Sequence, residues 1–301
     1  MSILREGMPR APLYHAIIAR RQDAVPKDSQ LDAKEAAGVE THILLFLAAV
    51  AAGAINTLAG GGGLLTFPLL ALVVSPVAAD ATSAFALLPA YPTAVWRTRS
   101  ELAGVGRQWL WLLLPTSIMG GLAGALTLVW TDERNFAFLV PWLILGGTVL
   151  FALEPILARR RGGTDGPPTL VGKLWPLAVL VTLAVAFYGG YFGAGIGILM
   201  ITALSLFGMG DVHRVVALKN LLTGSLRGAA VLVLAVEGAI RWGYGVPMAF
   251  GGLLGGYLGG MLSGRVNRTA LRTVVIAIGF GVAAYYFWNL YGPAEFRIGG
   301  E

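Results

Sequence analysis

Two cationic side chains lie inside a strongly apolar stretch of the sequence. The segment 214–237, RVVALKNLLTGSLRGAAVLVLAVE, contains Lys219 and Arg227, with Thr223 midway between them. Residues four positions apart lie on the same face of an α-helix, so these three side chains are predicted to share one face. Arg227 lies about 15 Å from either end of the segment, taking a rise of about 1.5 Å per residue. A charge at that depth of a membrane helix usually serves a function, and a pair of cations favours an anionic ligand.

Lys219 has an alternative explanation that Arg227 lacks. It lies closer to the end of its segment, so its apolar stem could carry the ammonium group out to the membrane interface. Asn220, next to it, offers an amide that both donates and accepts hydrogen bonds. We expect Lys219, Asn220, Thr223 and Arg227 to contact a substrate.

Neutral polar residues in the first half of the chain could complete such a site. They are Asn56, Thr57, Thr82, Ser83 and Tyr91. Their hydroxyl and amide groups suit the oxygens of a sulfonyl or carboxylate group. Thr82 and Ser83 could instead cap a helix that follows Asp80, and Asn56 and Thr57 could merely close a helix end.

Several kinds of chemistry lack the residues that they need. The acidic residues near apolar segments all fall at segment ends, namely Asp80, Glu154, Asp211 and Glu237. No carboxylate is therefore expected to pair with the two cations or to relay protons. The chain has no cysteine and 3 histidines, which gives little basis for a metal site, and it has no GxSxG nucleophile elbow. We predict no catalytic residue, metal or cofactor, and a protein that is not an enzyme.

Glycine interrupts two apolar segments that are too long for one membrane crossing. Segments 41–75 and 173–207 each hold about 35 residues, whereas a membrane helix needs about 20. The interruptions contain Gly60, Gly61, Gly62 and Gly63 in the first segment and Gly193, Gly195 and Gly197 in the second. Each run is predicted to bend a helical hairpin at membrane depth and to aim a helix N-terminus at an anion. The alternative is that these glycines only allow close helix packing.

The two interrupted segments align with each other, which indicates a duplicated chain. Residues 55–72 match 189–206 without a gap. With 56% hydrophobic and 13% charged residues and a mean hydropathy of +0.72, the composition is that of a polytopic membrane protein. We predict an all-α fold of two homologous repeats, each with one glycine-broken re-entrant hairpin and three transmembrane helices.

The domain boundaries follow from these segments. They give a tail at 1–40, a first repeat at 41–158, a basic linker at 159–172, a second repeat at 173–291 and a tail at 292–301. We expect the first tail to be soluble or interfacial, because it lacks an apolar run long enough for a signal peptide.

Arginine-rich loops predict the orientation in the membrane. The loops are 97–107, 158–173 and 263–272, and all three are expected in the cytoplasm. Hairpins that return to their own side would then make the two repeats inverted. A single crossing by each long segment would instead make the repeats parallel, and the basic residues of the first tail count against inversion.

With these motifs, the chain resembles the TauE/SafE family of sulfite and sulfonate exporters, also called the toluene-sulfonate uptake permease family. The likeness lies in AGAINTLAGGGGLLTFPLL followed by ADATSAF, and in FYGGYFGAGIGILMITALSLFG followed by HRVVALKN. It covers residues 41–291. One departure is the second glycine run, GAGIG, where Ile196 stands inside what is commonly a fuller run.

The resemblance implies a permease for small sulfur oxyanions. Sulfite, sulfoacetate and other organosulfonates are the expected substrates, exported across the cytoplasmic membrane of a bacterium. It also implies that Asn56, the glycines, Thr82, Ser83 and the Lys219–Asn220 pair line the path. A transporter of another anion such as a carboxylate, and a scaffold or receptor that transports nothing, stay open as alternatives. We expect a small anion and the lipid bilayer as partners, no nucleic acid, and a homodimer as one candidate oligomer.

Overall fold

The computed structural model describes residues 38–58, 60–159, 175–207, 211–262 and 268–291. Most of the predicted first tail and of the basic linker, and all of the 292–301 tail, lie outside these residues. Contacts divide the chain into two units, Met1–His42 and Ile43–Glu301. The candidate site and the helices that support it lie in the second unit.

The described residues are arranged as helices and short connections, without a β-strand among them. The helices are α1 (Val39–Leu58), α2 (Gly63–Leu70), α3 (Pro76–Leu87), α4 (Ala90–Arg97), α5 (Arg99–Ala103), α6 (Arg107–Trp130), α7 (Glu133–Arg159), α8 (Trp175–Tyr191), α9 (Ile196–Leu206), α10 (Val212–Val236), α11 (Trp242–Leu262) and α12 (Arg268–Tyr291).

Several of these helices are suited to a bilayer. By length and composition, α1, α6, α10 and α12 are apolar enough to cross a membrane, and α8 and α9 are shorter apolar helices. Large apolar side chains such as Phe250 and Leu254 of α11 are exposed on the outside of the bundle. In water this surface would be unfavourable, but hydrocarbon chains solvate it. The protein is an all-helical, multi-pass membrane protein.

Arginines gather at one end of the bundle, which we call the arginine end. Here the backbone at Gly104 lies against the side chain of Arg214, and Trp109 stacks on Phe207 with ring centroids 5.8 Å apart. The end is defined by Arg97, Arg99, Arg107 and Arg214. Ser100 Oγ donates a hydrogen bond to Glu101 Oε2 at 2.8 Å, and this bond lowers the pKa of the Glu101 carboxyl. The contacts of Gly104 with Arg214 and of Trp109 with Phe207 place the chain segments before α6 and before α10 side by side.

The second half of α3 and the start of α11 meet at the opposite end of the bundle. The backbone amide of Arg241 donates to Thr82 Oγ1 at 3.0 Å, and Phe85 packs edge-on against Trp242 with centroids 5.0 Å apart. From there α11 runs to the arginine end, where Gly260 lies beside the side chain of Arg97.

Glycines bring α6 and α8 into backbone contact. A Cβ added at Gly190 would overlap the carbonyl oxygen of Gly121, and one added at Gly124 would overlap that of Phe187. Residue numbers rise together along this contact, since Gly120 faces Leu183. The two helices are therefore parallel, and α8 starts at the arginine end as α6 does.

The pair α1 and α11 packs in the same way. Gly251 lies against the carbonyl of Phe46 and Gly259 lies against Ala54, so this pair is also parallel. Because α11 starts at the end opposite the arginines, the second unit's part of α1 also runs from that end toward the arginines.

Both glycine runs are breaks between two helices. In the first, α1 ends at Leu58 and α2 begins at Gly63; in the second, α8 ends at Tyr191 and α9 begins at Ile196. The positive φ angles lie at Gly60 (75°) and Gly61 (115°) and at Gly193 (66°) and Gly195 (78°). Only glycine adopts such angles without strain, which explains the residue type at the bends.

The helix that carries Asp80, Thr82 and Ser83 starts earlier than the sequence suggested. The apolar pattern placed a span at 81–97, but α3 begins at Pro76, a residue well suited to the first helical position. The alternative in which Thr82 and Ser83 cap a helix after Asp80 is therefore wrong. All three side chains lie inside α3, and each is buried.

Candidate functional site

Lys219 is buried beside the first helix break. Its side chain is 1% exposed, and Nζ donates to the backbone carbonyl of Asn56 at 3.1 Å. Asn56 lies in the last turn of α1, where the helix dipole is negative, and its carbonyl also accepts from the Gly60 amide at 3.2 Å. The alternative in which Lys219 reaches the membrane interface is wrong, because the end of α1 holds the ammonium group inside the protein.

Arg227 takes the equivalent position at the second helix break. Its side chain is 4% exposed, and Nη2 donates to the carbonyl of Phe192, one residue beyond the end of α8, at 3.4 Å. The guanidinium group lies over Gly193 so closely that a Cβ there would overlap it. Each cation of α10 therefore binds the C-terminal end of the first helix of one break.

A carboxylate pairs with Arg227, which the sequence did not predict. Asp80 is 1% exposed, and its Oδ2 lies 3.9 Å from Arg227 Nη1. Sequence reasoning placed Asp80 at a segment end and expected two cations without a carboxylate, and this expectation is wrong. The reason is the early start of α3, which carries Asp80 into the packed interior.

The glycines of the two breaks touch each other. The Cα atoms of Gly60 and Gly197 are packed so closely that a Cβ on either would lie 2.7 Å from the other. Gly63 lies against Ala194, and Gly61 lies beside the Ile198 side chain. The structure thus brings together the two runs that the sequence singled out.

In each break, a glycine lies directly before the second helix. Gly62 precedes α2 and packs against the carbonyl of Ala52, while Gly195 precedes α9. The amides of Gly61, Gly62 and Gly197 meet no backbone acceptor among the described residues. Unpaired amides at a helix start suit an anion.

The predicted hydroxyl groups have different surroundings. Thr57 Oγ1 donates to Gly53 O within its own helix at 3.1 Å, and Thr82 Oγ1 accepts from the Arg241 amide, so neither is turned toward the cations. Ser83 Oγ lies 2.6 Å from Thr66 Oγ1.

Tyr91 lies nearer to the breaks. It is buried and packs against Gly224 of α10, between Lys219 and Arg227 in the sequence of that helix. Asn56 contacts Lys219 directly, since its backbone carbonyl accepts from the ammonium group.

Several buried polar atoms lack hydrogen-bond partners among the described residues. On α3 and α10 they are Asp80 Oδ2, Asn220 Oδ1, Thr223 Oγ1 and Arg227 Nη1. A second group, Ser117 Oγ and Thr182 Oγ1, lies on α6 and α8. Each such atom costs about 1–3 kcal/mol. The set on α3 and α10 offers both donors and acceptors to a ligand.

Three further residues of this region carried no signal that sequence reasoning used. Asp80 and Thr66 are described above, and the third is Tyr188, whose hydroxyl donates to Ala194 O at 2.9 Å within the second break. The position of Tyr188, just before the second glycine run, could have indicated it. The described residues hold no group of His, Cys, Asp and Glu side chains that could bind a metal ion.

Comparison with known proteins agrees with the membrane architecture. The family model described as "Sulfite exporter TauE/SafE" matches residues 45–286. No solved structure matches the chain.

Curated relatives cover most of the chain. A "Probable membrane transporter protein" of Haemophilus influenzae is 27% identical over 250 residues, which are 82% of this chain and 94% of the relative. "Probable membrane transporter protein YfcA" of Escherichia coli K12 is 26% identical over 251 residues, covering 83% and 90%. "Probable membrane transporter protein ORF9" of Sinorhizobium is 29% identical over 222 residues, covering 71% and 80%. The chain belongs to the TauE/SafE family, and it is a membrane transporter.

Proposed function

We propose that this transporter exports small sulfur-containing anions, such as sulfite, sulfoacetate or other organosulfonates, across the cytoplasmic membrane. The observation that carries the proposal is the contact between two glycine breaks beside the buried Lys219 and Arg227. Two cations and one carboxylate leave one formal positive charge in this buried region. This positive charge would attract an anion, and the family's description points to sulfur oxyanions.

The anion would be bound by donors from both breaks. Helix α2 starts at Gly63 and α9 starts at Ile196, so the positive ends of two helix dipoles point at the same place. Thr223 Oγ1 and Arg227 Nη1 add a hydroxyl and one guanidinium nitrogen, and both atoms are unpartnered among the described residues. Donors of this kind replace the water that an anion loses on entering the protein.

We also infer that each break belongs to a re-entrant hairpin. For the second break, α6 runs from the arginine end to the opposite end, and α7 then returns the chain to the arginine end. The contact of Gly104 with Arg214 then requires α8 and α9 together to start and finish at the arginine end. For the first break, the second unit's part of α1 starts at the end opposite the arginines, and α3 lies at that end too. This supports a re-entrant hairpin for α1 and α2 as well.

Reciprocal packing supports two inverted repeats. Helix α8 packs on α6 as α1 packs on α11, and α9 packs on α7 as α2 packs on α12. Each hairpin thus contacts helices of the other half, and the two hairpins enter from opposite ends. The positive-inside rule assigns the arginine end to the cytoplasm, and the relatives named above are bacterial.

Efflux from proteoliposomes tests the proposed substrate. Vesicles containing the purified protein are loaded with labelled sulfite, sulfoacetate, taurine or acetate, and loss of label is compared with that from protein-free vesicles. Faster efflux of a sulfur anion than of acetate is the expected result. Acetate efflux that is equally fast would favour a general carboxylate transporter, and no efflux of any of them from folded protein would overturn the proposal.

A further inference from the structure

Asp80 and Arg227 form a buried ion pair that is not closed by a hydrogen bond. Their nearest charged atoms are 3.9 Å apart, beyond hydrogen-bond distance, and both Asp80 Oδ2 and Arg227 Nη1 lack a partner among the described residues. The other nitrogen, Arg227 Nη2, is held by the Phe192 carbonyl. The Nη1 group is thus the one that an incoming anion could bind.

The charges around Asp80 are few. Its helix packs against α2, α7, α10 and α11. Helix α2 has no titratable side chain, and among the described residues Arg227 of α10 is the one cation within 4.0 Å of the Asp80 carboxylate. An anion at Arg227 Nη1 would therefore face the Asp80 carboxylate without another cation between them.

We propose that Asp80 takes up one proton when an anion binds Arg227, so that the anion and a proton cross the membrane together. The proposal rests on the proposed anion transport and adds its coupling. A proton from the aqueous phase bonds to a carboxylate oxygen of Asp80, and the anion takes over as the negative partner of Arg227. When the anion leaves, the proton leaves too, and the Asp80–Arg227 pair forms again.

The physical reason is repulsion between like charges in a buried place. Two negative groups on one guanidinium would leave a net negative charge there, and one of two neighbouring carboxylate-like groups then takes a proton. The total charge around Arg227 is the same before and after binding of a monovalent anion. Transport of such an anion is then electroneutral, and export proceeds when the outward gradient of the anion exceeds the inward gradient of the proton.

Proton uptake on binding is the direct test, and methanesulfonate is the probe because its own charge does not change near neutral pH. Titration calorimetry of the detergent-solubilised full chain in buffers of different ionisation enthalpy gives the protons taken up per anion. For the wild type we expect about one proton per anion, and an affinity that falls about tenfold per pH unit where Asp80 is ionised. Asp80→Asn should bind the anion without proton uptake. Glu101→Gln, which changes a carboxylate of the arginine end in the same way, should behave as the wild type.

The outcomes separate this inference from the proposed function. Binding by the wild type without proton uptake overturns the inference and leaves the anion transporter intact, and this result does not depend on whether Asp80→Asn folds. Proton uptake that persists in folded Asp80→Asn also overturns it, because another group must then take the proton. If neither methanesulfonate nor sulfite binds the folded wild type, the proposed function and this inference both fall.

Discussion

At the residue scale, the two cations of α10 each bind a helix end, and we propose that both also contact the substrate. Lys219 binds the Asn56 carbonyl at the first break, and Arg227 binds the Phe192 carbonyl at the second. Each cation therefore keeps a hydrogen-bond partner when no anion is bound. This bond offsets part of the cost of burying Lys219 in the substrate-free protein.

Replacing Lys219 by methionine should reduce transport more than stability. Lys219→Met keeps most of the length of the side chain; it removes a charged hydrogen bond, but it also removes the cost of burying an ammonium group, so the two effects on stability largely cancel. We expect sulfite efflux to fall about tenfold to a hundredfold, with a thermal midpoint close to the wild type. The matched control is Ser225→Ala, since Ser225 Oγ donates to Leu221 O within its own helix. Unchanged efflux in Lys219→Met would remove this residue from the site.

The Asp80–Arg227 pair should show coupling in a double-mutant cycle. Arg227→Gln leaves a buried carboxylate without its partner and should lower the free energy of unfolding by about 3–5 kcal/mol. The double variant Asp80→Asn/Arg227→Gln removes both charges and should recover about 1–3 kcal/mol of that loss. Denaturation of the three variants in mild detergent measures the cycle. Strictly additive losses would mean that the two side chains do not interact.

At the element scale, the contact between the breaks makes strong demands on two glycines. Gly60→Ala places a Cβ 2.7 Å from the Gly197 Cα at a residue whose φ is 75°. The positive φ alone costs about 1–2 kcal/mol, so we expect a loss of stability of at least about 2 kcal/mol and little transport. Gly197→Ala meets the same contact from the other side.

Gly146→Ala is the control for this pair. Gly146 lies inside α7 with no atom within 4 Å of an added Cβ, so alanine should be neutral or stabilise by up to about 1 kcal/mol. Thermal unfolding of the three variants decides the matter, and a Gly60→Ala protein as stable as Gly146→Ala would contradict the close packing.

The helix breaks and α3 show which parts of the fold and of the site could be predicted from the sequence. Glycine runs inside apolar segments indicated the breaks, because several closely spaced glycines destabilise a helix and the segments were too long for one crossing. The start of α3 was missed because Ser75 and Pro76 lie inside a weakly apolar stretch, where hydropathy does not mark a helix start. Asp80 was missed with it. The pairing of Asp80 with Arg227 depends on contacts between distant helices, which spacing along one chain does not encode.

At the scale of the whole molecule, the proposed topology can be checked by labelling. The chain has no cysteine, so a single introduced thiol reports one position. In intact cells, a membrane-impermeant maleimide should label Asp132→Cys but not Ser100→Cys or His213→Cys. Permeabilised cells should label all three. Labelling of Ser100→Cys and His213→Cys from opposite sides would mean that α8 and α9 cross the membrane and that the repeats are parallel.

The contact between Gly60 and Gly197 also limits how this sequence can vary over time. Many core contacts tolerate an enlarged side chain when its neighbour becomes smaller. Here neither residue has a side chain to lose, so a substitution at one position cannot be offset at the other. A compensating change would have to move whole helices, which are themselves fixed by backbone contacts such as that of Gly121 with Gly190. Suppressor mutations of a Gly60 variant should accordingly be very rare.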